Sequence, residues 1–425
     1  MNLKRRNFIR LSTLAAGTGL KLGLQSIPET AELPESIRRH PVFNSTPPAP
    51  IHSEERKGRI SRAQRLMQQN KIEAIVLESG TSLDYFTGIS WWPSERTMVA
   101  VIPAVGDVFY ICPAFEENRF RELMIIGENV YVWQEDESPY ELIAQSFLNA
   151  EIRTGKIGIE ERVRFFIFDG IRKAAPQFEY TSADPVTIPC RLIKSASEIA
   201  LIQHASNITV SAMKTGISQL REGISPGKIS DIINKAHEQL GGTPDFALVL
   251  FGTASSLPHG SVKPQRLKKG DIVLLDCGCK YEGYCSDITR TIVFGAPPTP
   301  HQQDVWNLEQ KAQAAGFVAA KIGSPCEQVD MAARKVVTDA GFGPGYKLPG
   351  LPHRTGHGIG MDGHEWGNMV KGNQLPLQAG MCFSIEPTIS LPGEFGVRME
   401  DCVYMTEAGA KWFSQPAHSI SQPFA

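Results

Sequence analysis

DIVLLDCGCKYEGYCSDITRTIVFG, residues 271–295, reads as a β-hairpin. Two apolar, β-branched runs, 272–275 and 288–294, are joined through Tyr281, Glu282 and Gly283. One strand carries Asp276 and the other begins beside Asp287. Whether the two are directly opposite or diagonal, they share one face of the ribbon. Both lie among apolar neighbours, where an ionised carboxylate without a partner is too costly to keep.

Further along the chain three more such positions occur: His357 in RTGHGIG, Glu386 in FSIEP and Glu400 in VRMED. The segments 381–387 and 396–405 read as two more strands, carrying Glu386 and Glu400. Two like charges ~4 Å apart repel by about 4 kcal/mol even at an effective dielectric of 20. Four carboxylates in one pocket must therefore be protonated or hold cations. A single Asp on a strand is more often a turn or cap residue. Five acid and His positions, each in its own strand-like or Gly-bounded segment, point instead to a metal site. Arg398 is two residues before Glu400 and shares its face, so its guanidinium can support a metal-binding carboxylate.

Oxygen donors with a single imidazole suit two divalent ions of the Mn²⁺ kind, with Zn²⁺ and Co²⁺ as alternatives. Two such ions bridging one water lower its pKa and polarise a carbonyl, which is amide-hydrolysis chemistry. Three histidines accompany the set: His259 in SLPHG, His353 in LPHRTG and His364 in MDGHE. Each alone would usually be a core or loop histidine. Beside a metal site they read as donors for a substrate carbonyl, a terminal carboxylate and a developing tetrahedral anion.

The motifs LPHG, LLDxGxxxxGYxSDxTRT, HRTGHGIGxDxHE, SIEP and VRMED occur here in that order. In them the chain resembles the pita-bread metallopeptidases, in the Xaa-Pro aminopeptidase and prolidase branch. The resemblance implies an α/β N-terminal domain followed by an α+β pita-bread (creatinase/aminopeptidase) catalytic domain with pseudo-twofold symmetry. It also implies roles. Asp276 would ligate one metal, Asp287 and Glu400 would bridge both, and His357 and Glu386 would complete the second site. Glu386 would move the proton from the bridging water to the leaving nitrogen. His259 and His364 would stabilise the scissile carbonyl and its intermediate, His353 would line the proline side, and Arg398 would support Glu400. The implied substrate is a small peptide with proline in second position, cut as a dipeptide or as a longer peptide. The competing readings are a metal-dependent lyase or hydrolase of a small metabolite, such as a dimethylsulfoniopropionate lyase, and a metal-free binding protein. Intact carboxylates disfavour the last, and the proline-directed histidines disfavour the lyase.

Length and charge set the outer bounds. The chain has 425 residues and a net charge of −2, with basic residues scattered, so nucleic acid is not an expected partner. Its start, MNLKRRNFIRLSTLAAGTGL, carries twin arginines Arg5 and Arg6 before a weakly apolar stretch and resembles a bacterial twin-arginine export signal. The expected organisation is a signal over 1–30, a Pro-rich linker over 31–53, an N-terminal domain over 54–188 and a catalytic domain over 189–425. Export through the twin-arginine machinery would place the protein in the periplasm. Within the N-terminal domain a helix is expected over 54–69 and strands over 72–78, 97–102, 107–112 and 156–160.

A capping box at Ser195 and Glu198 opens the catalytic domain. Two later helices begin alike at Ser225-Pro226 and Ser324-Pro325 and end at Gly241 and Gly341, a faint sign of a duplicated half. The eight cysteines read mostly as small buried fillers, with a zinc site of Cys277, Cys279 and Cys285 as the rival. Trp91 and Trp92 stand out in the N-terminal domain. A symmetric homodimer in which they help close the partner's substrate site is the expected quaternary arrangement.

Overall fold

The computed structural model describes residues 46–424. The expected export signal, with Arg5 and Arg6, and the first part of the linker lie outside the described residues. The first unit opens with the helix Ser53–Asn70, ended by Lys71 in the left-handed region at φ 55°. Six strands follow: β1 (Ile72–Glu78), β2 (Val99–Pro103), β3 (Phe109–Pro113), β4 (Asn129–Trp133), β5 (Lys156–Ile159) and β6 (Glu179–Ser182). They form one mixed sheet in the order β4-β3-β2-β1-β5-β6.

The central strand, IEAIVLE, is buried at all but one position, as a strand covered on both faces must be. Ile75 and Leu77 enter one core cluster, and Ala74 and Val76 the other. β4 and β6, which the sequence pattern did not announce, are the two edges. Their residues are mostly half-buried or exposed, so they carry little continuous apolar signal.

Beyond the helix Asp184–Leu192 the chain builds two similar halves. The first has the helices Ala196–Ser218 and Pro226–Gln239 against β7 (Thr243–Phe251), β8 (Ile272–Tyr281), β9 (Tyr284–Cys285) and β10 (Ile288–Val293). The second has Pro300–Ala319 and Glu327–Asp339 with β11 (Gly356–Gly358), β12 (Glu365–Met369), β13 (Cys382–Ile385), β14 (Thr388–Leu391), β15 (Phe395–Arg398), β16 (Asp401–Thr406) and β17 (Gly409–Trp412). A long helix, a shorter one and an antiparallel sheet thus occur twice, as a pseudo-twofold pita-bread fold requires. No helix among the described residues is long and apolar enough to cross a membrane.

The expected caps hold in detail with one displacement. Ser195 and Glu198 form the reciprocal capping box, and Ser225 takes the N-cap position of a helix with proline in its first turn, without a side-chain capping bond. The second-half helix starts at Glu327 rather than at Ser324-Pro325, because Pro325 is drawn into a bridge with Pro376. Gly241 and Gly341 both follow helix ends in the left-handed region.

The hairpin register is now fixed. Glu282 (φ 47°) and Gly283 (φ 81°) make the tight turn between Tyr281 and Tyr284, both left-handed as a two-residue turn of the primed kind demands. Asp276 opposes Thr289, so Asp287, two residues earlier, lies diagonal to Asp276 on the same face. A Cβ on Gly278 would stand 2.3 Å from the Ser286 carbonyl oxygen and 2.5 Å from Phe246 Cε1. Glycine here lets the strand of Asp287 close on β8.

The expected strand over 396–405 is not continuous. β15 pairs with β14, and β16 pairs with β13 and β17. The chain changes sheets at Met399-Glu400, where the Glu400 backbone exchanges two 3.2 Å hydrogen bonds with Thr289. The strand expected over 381–387 likewise stops at Ile385, and the Glu386 amide instead donates to Thr355 O at 2.7 Å. Both ligand candidates therefore sit just outside regular strand, at turns in the chain path.

All eight cysteines are free and buried. Cys277 and Cys279 pack in the cluster behind β8 and Cys285 in another. Cys285 opposes Lys280 and so faces away from Cys277 and Cys279, and among the described residues the trio forms none of the clustered donor groups, which disfavours the rival zinc site.

Candidate metal centre

His357 is held by two glycines. A Cβ on Gly356 would lie 1.9 Å from Ser384 O, and one on Gly358 would lie 2.0 Å from Trp366 O. Only Gly-His-Gly threads between β12 and β13. The His357 Nδ1–H donates to Gly358 O at 3.1 Å, which leaves Nε2 as the free lone pair. Nε2 faces Glu386 Oε1 at 3.2 Å, Asp287 Oδ2 at 3.7 Å and Glu400 Oε1 at 3.7 Å.

The structure brings all five expected ligands together. Ligand atoms of Asp276, Asp287 and Glu400 lie within 4.8 Å of one another, as do those of His357, Glu386 and Glu400, and those of Asp287, His357 and His364. Asp287, His357 and Glu400 each belong to two of these overlapping groups. Asp287 and Glu400 are 5% and 2% exposed, yet Asp276 Oδ1, Asp287 Oδ1 and Glu400 Oε1 have no hydrogen-bond partner. Native interiors rarely leave such atoms unsatisfied. Burial, and then the neighbouring Glu400, push the Asp287 carboxyl well above the usual range. The same two causes push Glu386 up to about 7. Burial acts to raise Glu400 as well, but the nearby His357, the Arg398 charge and the Thr289 hydrogen bond hold it below its ordinary value. A pocket of this kind calls for positive charge, and its oxygen-rich donors with imidazole fit divalent first-row ions.

Arg398 is placed differently from the expectation. Its guanidinium pairs directly with Asp276 and donates to Thr289 Oγ1 at 3.1 Å and to Pro258 O at 3.2 Å. It reaches Glu400 through Thr289, whose hydroxyl donates to Glu400 Oε2 at 2.9 Å. The break after β15 turns Arg398 toward β8 and away from direct contact with Glu400. Thr289 is the functional residue that sequence reading missed. It sits two positions after Asp287, on the same face of the strand, so strand alternation alone would have marked it.

These groups line a cavity of about 800 Å³, walled by Phe246, Leu248, Pro258 and Pro352. His259 and His364 open into it. The His364 ring centroid is 4.0 Å from that of His357, and partial burial with the nearby His357 and Arg354 lowers its pKa to about 4. His353 also lines the cavity, but both its ring nitrogens are engaged. Nδ1–H donates to Arg354 O at 2.7 Å and Nε2 accepts from Thr388 Oγ1 at 3.0 Å. It is a wall residue and not a free donor. Phe246 and Leu248 face the site because they pair with Gly278 and Asp276 across β7 and β8. That placement follows from register and has no motif of its own.

Trp91 packs edge-on to Phe120 at 5.8 Å, beneath the Arg119 guanidinium. Trp92 is 88% exposed. Neither lines the cavity of its own chain.

Residues 200–407 match Metallopeptidase family M24, and residues 59–193 match the Creatinase/Prolidase N-terminal domain. The chain is 31% identical to the Xaa-Pro dipeptidase of Lactobacillus helveticus, over 84% of this chain and 96% of that one. Among solved structures it superposes on a prolidase from Thermococcus sibiricus with a TM-score of 0.78 at 30% identity, covering 84% of this chain and 96% of the other. Dipeptidase PepE of Mycobacterium ulcerans gives 0.81 at 30% identity, covering 89% of this chain and all of the other. With its carboxylate and imidazole cavity set between two similar halves, behind a creatinase-type N-terminal domain, this chain belongs to metallopeptidase family M24.

Proposed function

We propose that the protein is an Xaa-Pro dipeptidase working with two divalent ions, Mn²⁺ by preference. The observation that carries this reading is the convergence of the Asp276, Asp287 and Glu400 carboxylates within 4.8 Å of one another, each keeping one oxygen without a hydrogen-bond partner. Asp276, Asp287, His357, Glu386 and Glu400 would hold the ions. When bound, such ions supply a water that is nucleophilic at neutral pH and polarise the scissile carbonyl.

The chain's own residues do the rest. The Gly358 carbonyl keeps the proton on His357 Nδ1 and its Nε2 directed at the carboxylates. Glu386, which faces His357 Nε2 at 3.2 Å on the cavity wall, can take a proton from the attacking water and pass it to the departing proline nitrogen. His259 and His364 donate to the oxygen that gains charge as the carbonyl becomes tetrahedral. Arg398 and Thr289 fix Asp276 and Glu400, and His353 with Pro352 walls the cavity for the proline ring. The dipeptidase form is preferred over the aminopeptidase form because similar proteins carry the names Xaa-Pro dipeptidase and prolidase. The deciding experiment is an activity screen with Mn²⁺, Zn²⁺ or Co²⁺, using Xaa-Pro, Xaa-Pro-Xaa and dimethylsulfoniopropionate. Hydrolysis of Xaa-Pro ahead of the tripeptide is expected. Cleavage of the sulfonium compound with peptides untouched would overturn the reading.

Two further proposals concern assembly and location. An 88% exposed tryptophan on a ligand-free domain suits a symmetric homodimer in which Trp92 meets the partner's cavity. Trp92→Ala is then expected to raise KM or shift the protein toward monomer in sedimentation, with metal content unchanged. A wild-type monomer whose kinetics ignore the substitution would disprove it. Twin-arginine export to the periplasm rests on Arg5 and Arg6. Replacing both with lysine is expected to retain the precursor in the cytoplasm, because the pair is read as guanidinium. Undiminished export of that variant would show that the signal lies elsewhere.

A further inference from the structure

The loop that presents His364 is held from the segment that joins the two domains. Asp362 and Glu365 flank it, and both carboxylates are tied to the segment where the two domains meet. Arg191, in the last turn of the helix Asp184–Leu192, places one nitrogen, Nη2, 2.6 Å from Asp362 Oδ2 and 2.6 Å from Glu365 Oε1. Lys194, whose side chain is 1% exposed, binds the other oxygen of Glu365 at 2.8 Å. Glu365 Oε1 in turn accepts the backbone N–H groups of Met361 and Asp362 at 3.0 and 3.2 Å. A Cβ on Gly360 would lie 2.6 Å from this carboxylate, so glycine there lets the carboxylate fold back over the loop.

The N-terminal domain adds its own ties. Thr81 donates to Asp362 Oδ1 at 2.7 Å, and Arg162 binds the same carboxylate at 2.9 Å. Arg191 Nη1 donates to Ser82 Oγ at 3.3 Å, and Ser82 donates to Glu160 at 2.6 Å. Trp366 Nε1, just past the loop, donates to Glu161 at 3.0 Å. These groups border a second cavity of about 370 Å³ between the domains, which shares His364 and Arg354 with the metal cavity. Arg191, Asp362, Glu365 and Lys194 are largely buried, so this part of the network is little screened by solvent.

We infer that Arg191 is a positioning residue for His364: by clamping Asp362 and Glu365 on either side of it, Arg191 fixes the ring at the cavity wall. Through it the N-terminal domain governs the catalytic step. This rests on the reading of His364 as a donor to the developing anion. Lysine cannot replace arginine fully, since its single ammonium on a flexible stem can meet the two carboxylates but not also the Ser82 hydroxyl that Nη1 holds in the same rigid plane.

The test is a double-mutant cycle between Arg191→Met and His364→Ala in the metal-loaded, full-length enzyme, read as kcat, KM and metal content. Arg191→Met is expected to lower kcat about 10- to 100-fold, with KM within about threefold and metal content unchanged. Arg191→Lys should recover part of the loss. In the His364→Ala background the same change should cost less than about twofold more, because the group it acts through is gone. Asp362→Asn, a milder cut in the same clamp, should follow the same pattern and serves if Arg191→Met fails to fold. An equal fold-loss in both backgrounds, or an unchanged kcat, overturns the inference. If His364→Ala itself leaves kcat intact, the donor role of His364 fails and the inference fails with it. If His364→Ala is slow but the cycle is additive, only the inference falls.

Discussion

Asp287→Ala is expected to empty both metal positions and to lower peptide hydrolysis by at least ~10³-fold, about 4 kcal/mol of lost transition-state stabilisation. Asp287 belongs to two of the three overlapping donor groups. One of its oxygens faces His357 Nε2 at 3.7 Å and the other has no partner. The residue is 5% exposed and ringed by Glu400, Asp276 and Glu386. In the proposed two-ion site, removing it would take one donor from each position at once. Elemental analysis beside initial rates checks the result. A variant that keeps two ions per chain and works within tenfold of the parent would contradict a shared ligand.

His259→Ala should do the opposite with respect to metal. His259 lies in none of the clustered donor groups, yet it lines the same cavity. It is therefore expected to act on the oxygen of the reacting carbonyl and not on the ions. Loss of one such donor typically lowers kcat by ~10²-fold or more. Metal content should stay at the parent value, and KM should change less than kcat. Loss of metal in this variant would move His259 among the ligands and revise the site.

Much of this centre is legible in one dimension because its chemistry is unforgiving. The carboxylates announce themselves by lying where charge is expensive, whereas the reason for the glycines beside them, that no Cβ fits there, emerges only from the folded chain. Gly278, Gly356 and Gly358 are all of this kind. The parts that were not legible depend on where the chain leaves regular structure. Alternation along 396–405 gives one strand with Arg398 and Glu400 side by side, but the chain changes sheets between them. Local pattern has no marker for that change, since both segments are mostly buried and carry the same mix of apolar and polar residues. His353 shows the other limit. Its sequence context marks it as part of the site, but the Thr388 hydroxyl that occupies its second nitrogen comes from 35 residues away. The edge strands β4 and β6 escaped because half-solvated strands lack a continuous apolar run.

The crossing at Glu400 also bears on the order in which the molecule forms. Thr289 and Glu400 touch across 111 positions of sequence, and contacts between distant positions are slow to close. The first-half hairpin can fold with Asp276 and Asp287 in register while Glu400 is still far off. A complete set of donors exists only after both halves have docked. Ions that bind this completed set stabilise the finished chain and no earlier species. Chelation should therefore speed unfolding and leave the refolding rate nearly unchanged, the behaviour of interactions absent from the transition state.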